Sequence, residues 1–274
     1  MKIFNNSQSL KEHLRKYKEI NFVPTMGNLH SGHMSLISRA EQDSGITVVS
    51  IFVNDLQFGP NEDLHSYPRT QKEDLFKLEQ IGVDAVFIPT SENIYPDGSE
   101  NHTKVKVPTL SKKHCGISRP IFFEGITTVI VKLFNIIKPT RAYFGEKDWQ
   151  QFVIIKKLCS DLAMDVEIYS LPIIREKNGL ALSSRNNYLS EDQISIAGEL
   201  FKSLNILANA YKNSTYESTL REVKNNLVKK KFTIDYINLI DENTLEYPNP
   251  CSTKLRILAA VYFEKIRLID NISI

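Results

Sequence analysis

The stretch "VPTMGNLHSGHMSLI", residues 23–37, decides the fold because it joins a strand-like apolar run to an amphipathic helical pattern. The run "INFVPT" leads into it, and "MSLISRAEQDSG" continues it with apolar residues at helical spacing. Gly27 and Gly32 lie at the junction, where glycine lets backbone amides approach a ligand closely. Amides at a helix N-terminus attract anions, so this stretch predicts a corner that binds phosphate.

Two histidines, His30 and His33, lie three residues apart in the same stretch. On the first turn of a helix this spacing puts both rings on one side, aimed at a common target. Two imidazoles there could neutralise charge on a phosphate. A metal site and a purely structural turn stay open as alternatives, although no nearby cysteine or third clustered histidine offers further metal ligands.

Strand-like runs and helical patterns alternate through the first half of the chain. The runs lie at residues 20–25, 46–53, 83–89, 141–145 and 166–172. The alternation predicts an α/β fold with a Rossmann-like, doubly wound parallel sheet, which binds ligands at the carboxyl ends of its strands. A short edge strand is expected at 104–108, and a buried helix at 125–139, ended by Pro139.

The pattern changes after about residue 176. A helix is expected over residues 190–213, opened by Ser190 and Gln193 in capping-box spacing, and a second helix follows with Ser214 as its cap candidate. Three strand-like runs, 232–241, 253–263 and 265–270, complete the chain. We therefore expect one domain over 1–176 and a smaller α+β domain over 177–274.

Composition narrows the class of ligand and the compartment. The 274 residues carry a net charge of only +2, without a long block of one sign, which argues against a nucleic-acid surface and favours a small ligand. Cys115, Cys159 and Cys251 are far apart and predict reduced thiols that fill the core. The N-terminus lacks a signal-like apolar run, and "ILAAVYF" is too short to span a bilayer. We expect a cytoplasmic protein that does not insert into membranes.

Three further polar segments follow predicted strands or lie in loops. After the second strand, Asn54 and Gln57 could hold a small polar acid through oriented amide hydrogen bonds, or they could belong to an ordinary turn. In "FGEKDWQQF" (144–152), Lys147 offers a cation for phosphate, while Asp148 could simply cap the next helix. "LALSSRNNYLS" (180–190) holds two hydroxyls and Arg185, and a polar surface loop is its alternative.

Taken together, these segments make the chain resemble the pantoate–β-alanine ligase (pantothenate synthetase) family of the H-x-G-H nucleotidyltransferase superfamily. The matching segments, in order, are "VPTMGNLHSGHMSLI", "FVNDLQFGPNEDLHSYPRT", "KLFNIIKP", "FGEKDWQQ", "GLALSSRNNYLS" and "RLIDN". The resemblance covers essentially the whole chain. It implies condensation of pantoate with β-alanine through a pantoyl adenylate, with ATP converted to AMP and diphosphate.

Residue by residue, the resemblance implies an ATP site, a pantoate site and a magnesium ion. The ATP site would comprise Met26, Gly27, Asn28, Leu29, His30, Ser31, Gly32, His33, Gly145, Glu146, Lys147, Asp148, Ile174, Leu182, Ser183, Ser184 and Arg185. Its implied catalytic members are His33, His30, Lys147, Ser183, Ser184 and Arg185, with His33 as the expected proton donor. Pantoate would be held by Pro24, Thr25, Asn54, Gln57 and Gln151, with Gln57 also near β-alanine. Mg²⁺ is expected on the ATP phosphates with Asp74 as a carboxylate in reach, and a homodimer is implied.

The chain departs from the family pattern at four positions. Asp55 stands where proline is usual and Trp149 where tyrosine is usual; Phe122 replaces a histidine and Glu124 an arginine, although Arg119 remains. The last two exchanges remove positive charge near the expected site. Two alternatives stay open: a nucleotidyltransferase of the same fold that acts on a phosphorylated small molecule, and a binding module without turnover.

Overall fold

The computed structural model describes residues 1–60 and 62–274. These residues pack into two compact units: Met1–Glu146 with Gln151–Pro172, and Lys147–Gln150 with Ile173–Ile274. Each unit has its own sheet and its own hydrophobic core. The domain boundary after residue 176 stays a prediction.

In the described part of the first unit, six strands form a parallel sheet. They are β1 (Lys2–Phe4), β2 (Ile20–Thr25), β3 (Ile46–Ile51), β4 (Ala85–Phe87), β5 (Arg141–Gly145) and β6 (Glu167–Leu171). Their order across the sheet is β1-β4-β3-β2-β5-β6. The chain moves to one side of β2 through β3 and β4, and β5 then pairs on the other side. The sheet therefore reverses between β2 and β5, and α/β sheets bind ligands at the carboxyl ends of the strands beside such a reversal.

Helices cover this sheet and build its core. They are α1 (Ser7–Leu14), α2 (Ser31–Gln42), α3 (Gln71–Ile81), α4 (Ser91–Ile94), α5 (Cys115–Ser118), α6 (Phe122–Ile137) and α7 (Trp149–Asp161), the last of which joins the first unit from Gln151 onward. One core cluster packs Val23 and Val49 of the sheet against Ile37 of α2 and Leu78 of α3, all at 0% exposure. All six residues of β3 are buried, as expected for a parallel strand covered on both faces.

The second unit is a small α+β assembly. Its described strands, β7 (Phe232–Asp241), β8 (Leu255–Phe263) and β9 (Ile266–Ser273), form an antiparallel sheet in the order β7-β8-β9. Its helices are α8 (Glu191–Ala197), α9 (Glu199–Lys212) and α10 (Tyr216–Lys229). Leu200, Leu204 and Leu207 of α9 join a core cluster with Ile257 and Val261 of β8. The predicted fold class is therefore confirmed in both of its parts.

The predicted edge strand at 104–108 is wrong. The Val105 N–H donates to Thr128 Oγ1 at 2.9 Å, and the Val105 carbonyl accepts from Thr127 Oγ1 at 2.5 Å. Threonine side chains of α6 thus take the hydrogen bonds that a neighbouring strand would have taken. The sheet instead gains β1, which pairs with β4 and which the sequence reading missed.

Two further helix expectations differ from the structure. The capping box of Ser190 and Gln193 is present, but the helix that it opens ends at Ala197, and α9 begins after Gly198. A Cβ on Gly198 would lie 2.7 Å from the Asn178 carbonyl oxygen, so the break coincides with a close backbone approach. Ser214 does not cap α10, because it lies in the left-handed region at φ +58° and Thr215 takes the cap position.

The three cysteines divide by burial. Cys115 and Cys159 are buried and Cys251 is exposed, and all three are free thiols. Burial raises the pKa of the Cys159 thiol to about 11, which keeps it protonated and unreactive near neutral pH. No helix within the described residues is long and apolar enough to cross a membrane.

Candidate active site

The two histidines cap the N-terminus of α2. His30 is the N-cap residue and its Nδ1 accepts from the Gly32 N–H at 3.1 Å; His33 Nδ1 accepts from the His30 N–H at 3.3 Å. The ring centroids are 4.1 Å apart. Because Nδ1 accepts in both rings, Nε2 carries the proton of each neutral imidazole. The predicted pairing of the rings is therefore present, and Nε2–H is the donor that each ring can offer.

Gly32 is required by the ring of His30. A Cβ at this position would lie 2.9 Å from His30 Cε1 and 3.0 Å from Nδ1. A larger residue would push the imidazole out of its capping position. The glycine of the H-x-G-H motif thus serves the geometry of the histidine as well as access to the backbone.

The loop before α2 is held by Asp74, which is 1% exposed on α3. Its Oδ2 accepts from the Asn28 N–H at 2.9 Å, and its Oδ1 accepts from the Leu29 N–H at 2.7 Å. The loop needs this support because Gly27 and Asn28 have φ values of +82° and +50°. Thr70 Oγ1 also donates to Oδ2 at 3.2 Å. The contacts of Asp74 are those of a loop anchor, and its role toward magnesium stays a prediction.

The remaining predicted residues of this corner lie along β2 and α2. Pro24 and Thr25 end β2, and Thr25 Oγ1 donates to the Ser50 carbonyl of β3 at 2.7 Å and accepts from the Gly27 N–H at 3.2 Å. Ser31 is the exposed first residue of α2. These residues lie at the carboxyl end of β2, beside the reversal of the sheet.

The amide residues form a second group, centred on Asn54. Asn54 is 1% exposed; its Nδ2 donates to Gln57 Oε1 and to the Gly125 carbonyl, each at 3.1 Å. Gln57 Nε2 in turn contacts Met26 Sδ at 3.0 Å. The hydroxyl of Tyr95 donates to Asn54 Oδ1 at 2.8 Å. These bonds fix the orientation of the Gln57 amide and connect it to the loop of the two histidines.

Two residues of this second group carry no sequence signal that points to a site. Tyr95 follows the short helix α4, 41 positions from Asn54, and burial raises the pKa of its hydroxyl, which stays a proton donor. Gly125 brings α6 so close to residues 54–57 that a Cβ would lie 2.3 Å from the Leu56 carbonyl oxygen. Only the tertiary contact reveals either role.

The residues that depart from the family pattern have partners of their own. The guanidinium carbon of Arg119 lies 3.5 Å from the centroid of the Phe122 ring, and its Nε and Nη2 donate to the Glu62 carboxylate. Arg119 Nη2 also lies 3.4 Å from the Gln57 carbonyl oxygen. Glu124 pairs with Lys106 at 3.4 Å. The Phe122 ring thus stacks against the guanidinium of Arg119, and Arg119 in turn lies next to the backbone of Gln57.

The segment after β5 divides between the units. Gly145 and Glu146 belong to the first unit, and, apart from Gly145 itself and its two neighbours in sequence, no described residue has an atom within 4 Å of the position a Cβ on Gly145 would take. Lys147 and Asp148 belong to the second unit, with Lys147 Nζ 3.7 Å from Asp148 Oδ2. The chain returns to the first unit at Gln151, which lies half-buried in the first turns of α7.

The last predicted segment lies wholly in the second unit. The Leu182 N–H donates to the Ile174 carbonyl at 2.9 Å, so the two apolar residues lie side by side. Ser183 caps the short helical turn Ser184–Tyr188, and its hydroxyl accepts from the Arg185 N–H at 3.3 Å. Ile174 is 37% exposed, whereas Ser184 is buried. The structure therefore places the two serine hydroxyls, Arg185 and the exposed side chain of Ile174 on two neighbouring loop segments of the second unit.

Metal-ligating side chains are not clustered in the described residues: none of them form a group of three or more His, Cys, Asp or Glu that could hold an ion. This observation bears on a site built entirely from protein ligands. A cation that arrives bound to a nucleotide depends mainly on phosphate and water oxygens.

Comparisons with known proteins agree with this geometry. A sequence profile described as Pantoate-beta-alanine ligase matches residues 2–273. A pantothenate synthetase of Thermosipho africanus is 46% identical over 282 residues, with 100% of both chains covered. A crystal structure of pantothenate synthetase from Thermus thermophilus has a TM-score of 0.93 at 37% identity, covering 99% of each chain.

A further solved structure contains ligands. It is the pantoate-beta-alanine ligase from Francisella tularensis, complexed with beta-gamma ATP and beta-alanine, with a TM-score of 0.84 at 35% identity. The alignment covers 99% of the present chain and 97% of that chain. The profile match, the identities and the near-complete coverage lead to one conclusion: the chain belongs to the pantoate–β-alanine ligase family.

Proposed function

We propose that the capped histidine pair, the amide group around Gln57 and the polar loops of the second unit carry the ligase reaction in this chain. The chain is an ATP-dependent ligase that joins pantoate to β-alanine and releases AMP and diphosphate. The reaction passes through a pantoyl adenylate. A carboxylate cannot accept an amine directly because oxide is a very poor leaving group, whereas AMP leaves readily.

The first step joins a pantoate carboxylate oxygen to the α-phosphorus of ATP, and the bond to diphosphate breaks. Negative charge accumulates on the α-phosphate in this step, so preorganised donors there lower the barrier. We assign these hydrogen bonds to Nε2–H of His30 and His33. The assignment is supported chiefly by the two Nδ1 acceptor bonds, which orient both rings and define Nε2 as the protonated nitrogen.

Pantoate binding is assigned to neutral amides. Gln57 and Gln151 can present both a donor and an acceptor to the carboxylate and hydroxyl groups of the acid, and Gln57 also serves β-alanine. Asn54 acts through Gln57, since its Nδ2 donates to Gln57 Oε1. Pro24 and Thr25, at the end of β2, belong to the same proposed pantoate pocket. Because no full charge opposes the acid, selectivity comes from the orientation of these hydrogen bonds.

The second unit supplies further contacts to ATP. Lys147 and Arg185 are cations that can bind phosphate oxygens, Arg185 in the bidentate manner of a guanidinium. Ser183 and Ser184 can donate hydroxyl hydrogen bonds to the same groups. Ile174, 37% exposed, offers an apolar surface to the nucleotide.

Three finer expectations belong to the same proposal. Mg²⁺ enters with ATP, where it would offset phosphate charge, and phosphate and water oxygens are its main ligands. The protein acts as a homodimer and in the cytoplasm, as the family resemblance implies. Light scattering coupled to gel filtration measures the oligomeric state directly, and removal of Mg²⁺ with a chelator should abolish AMP formation.

The decisive experiment follows the products. Purified protein supplied with ATP, Mg²⁺, pantoate and β-alanine should form AMP, diphosphate and pantothenate in equal amounts. Formation of ADP, or AMP release that does not require pantoate, would contradict the proposal. Calorimetric titration with pantoate separates this ligase from a nucleotidyltransferase that prefers a phosphorylated substrate.

A substitution tests the role of His33. His33→Ala should slow adenylate formation by roughly 100-fold, the range for loss of one preorganised hydrogen-bond donor to developing charge. His13→Ala is the matched control, because it removes an imidazole that packs between Phe4 and Tyr17 of the first unit. If single-turnover diphosphate release is equally fast in wild type and His33→Ala, His33 has no part in the mechanism.

A further inference from the structure

The closing motif "RLIDN" has no role in the assignments above, yet its last residue contacts the backbone of Lys147. Asn271 Nδ2 donates to the Lys147 carbonyl at 3.1 Å. Lys147 opens the segment Lys147–Gln150, which belongs to the second unit although its neighbours in sequence, Glu146 and Gln151, belong to the first. Contacts with the rest of the second unit therefore hold these four residues, and the bond from Asn271 is one of these contacts.

Trp149 supplies two more contacts for the same segment. Its Nε1–H donates to the Glu242 carbonyl at 3.0 Å, and the guanidinium carbon of Arg256 lies 3.7 Å from the centroid of its ring. A tyrosine at this position has no indole N–H to make the first bond. The departure from the family pattern at Trp149 thus adds an anchor for the segment that carries Lys147.

The residues that hold the segment are themselves rigidly placed. Asn271 is 2% exposed and Arg256 is 5% exposed. Asn271 Oδ1 accepts from Arg256 Nη1 at 2.5 Å, and Arg256 Nε donates to Glu242 Oε1 at 3.0 Å. The Asn271 N–H donates to Asp270 Oδ1 at 2.7 Å. Arg256, the partner of the Asn271 side-chain oxygen, is thus itself held by a buried bond to Glu242.

Strand register explains why these side chains meet. Asn271 of β9 lies opposite Leu258 of β8, and Arg256 is two residues before Leu258. Residues two apart in a strand share a face, so Arg256 and Asn271 are diagonal neighbours on one face of the sheet. The motif "RLIDN" therefore delivers an amide to a defined point of this face, where it reaches Lys147.

We propose that Asn271 is a positioning residue for Lys147, and that Trp149 and Arg256 complete a clamp that fixes the Lys147–Gln150 segment for adenylate formation. The inference rests on the proposed role of Lys147 at the ATP phosphates. A cation displaced by about 1 Å loses much of its effect on a transition state, on the order of 100-fold in favourable cases. The clamp should therefore matter to the ATP step and not to the attack of β-alanine on the adenylate.

The test uses Asn271→Asp in the full-length protein. The exchange keeps the acceptor for Arg256 and replaces the N–H donor to Lys147 with an oxygen that repels its carbonyl. Asn205→Asp is the matched control, because Asn205 Nδ2 also donates to a backbone carbonyl of the second unit, that of Phe201, at 2.9 Å. Both half-reactions are measured by rapid quench: diphosphate release from ATP and pantoate, and pantothenate formation after β-alanine is added to the accumulated adenylate.

Trp149 provides a second readout because it is the one tryptophan of the chain. In Asn271→Asp we expect a red-shifted emission and stronger quenching by acrylamide, since the loosened segment exposes the indole. Asn205→Asp should keep the wild-type emission. Diphosphate release should be slowed by about 10- to 100-fold in Asn271→Asp, with pantothenate formation from the adenylate unchanged.

Other outcomes overturn the inference. The inference is refuted if Asn271→Asp releases diphosphate at the wild-type rate, or if the two half-reactions are slowed equally. If Asn271→Asp does not fold, Trp149→Phe decides, because it keeps an aromatic ring at the position that Arg256 contacts and removes the N–H that bonds to Glu242. Selective slowing of diphosphate release supports the clamp, and any other result refutes it.

The proposed function is tested separately by Lys147→Ala. Slow diphosphate release in Lys147→Ala together with normal release in the clamp variants refutes the clamp alone. Normal release in Lys147→Ala removes Lys147 from the ATP step, and the clamp inference falls with it.

Discussion

Asp74→Asn should loosen the loop that carries both histidines. The carboxylate is 1% exposed and accepts the N–H groups of Asn28 and Leu29 at 2.9 and 2.7 Å. An asparagine keeps one acceptor oxygen, but its NH₂ group then faces the second backbone N–H. One charge-assisted hydrogen bond is lost, and a buried donor is left without a partner.

The size of the effect follows from these contacts. A hydrogen bond to a charged group contributes about 1.5–3 kcal/mol, so we expect the free energy of unfolding to fall by about 2–3 kcal/mol. For a chain of this size that is a decrease in Tm of roughly 4–10 °C. Adenylate formation should slow more strongly, by up to ~100-fold, if His30 and His33 move by about 1 Å.

The assay combines calorimetric melting with single-turnover diphosphate release at several Mg²⁺ concentrations. Glu73→Gln is the control, because it removes an exposed carboxylate from the same helix, and it should change neither quantity. If Asp74 anchors the histidine loop, Asp74→Asn should have a lower Tm and should form the adenylate slowly, and excess Mg²⁺ should not restore the rate. An unchanged Tm, with activity recovered at high Mg²⁺, would refute this reasoning and would favour Asp74 as a metal ligand instead.

Other substitutions probe the remaining contacts. Tyr95→Phe leaves Asn54 Oδ1 without its donor and should raise the KM for pantoate while the KM for ATP stays constant, as steady-state kinetics can measure. Gly32→Ala forces the His30 ring away and should slow diphosphate release by roughly 100-fold without unfolding the protein, as circular dichroism can check. Burial alone would raise the pKa of Asp241, but backbone N–H groups of the following turn hold this pKa below its ordinary value of 3.8. The ionised carboxylate therefore stabilises the fold, and Asp241→Asn should lower Tm at neutral pH. The difference in Tm between the two proteins should shrink in melts as the pH falls below 3.8.

Local sequence patterns were sufficient for the elements that obey one simple period. The strands β2, β3 and β5 are apolar runs of the length expected for a covered parallel sheet, and the capping box of Ser190 and Gln193 forms as its spacing predicts. The run at 104–108 misled because side chains can replace a strand as hydrogen-bond partners. The residues next to Val105 in sequence do not indicate that Thr127 and Thr128 will be the hydrogen-bond partners of its backbone.

The sequence by itself determined the family resemblance, and through it the expected reaction class, since the motifs that carry the resemblance, among them the histidine pair with its two glycines, are properties of short stretches. Only the tertiary structure decided how those groups are held. Asp74 under the histidine loop, Tyr95 on Asn54 and Asn271 on Lys147 are partners separated by 41 to 124 positions. Buried polar groups must find partners wherever the folded chain brings them, and that pairing follows from packing and not from local spacing.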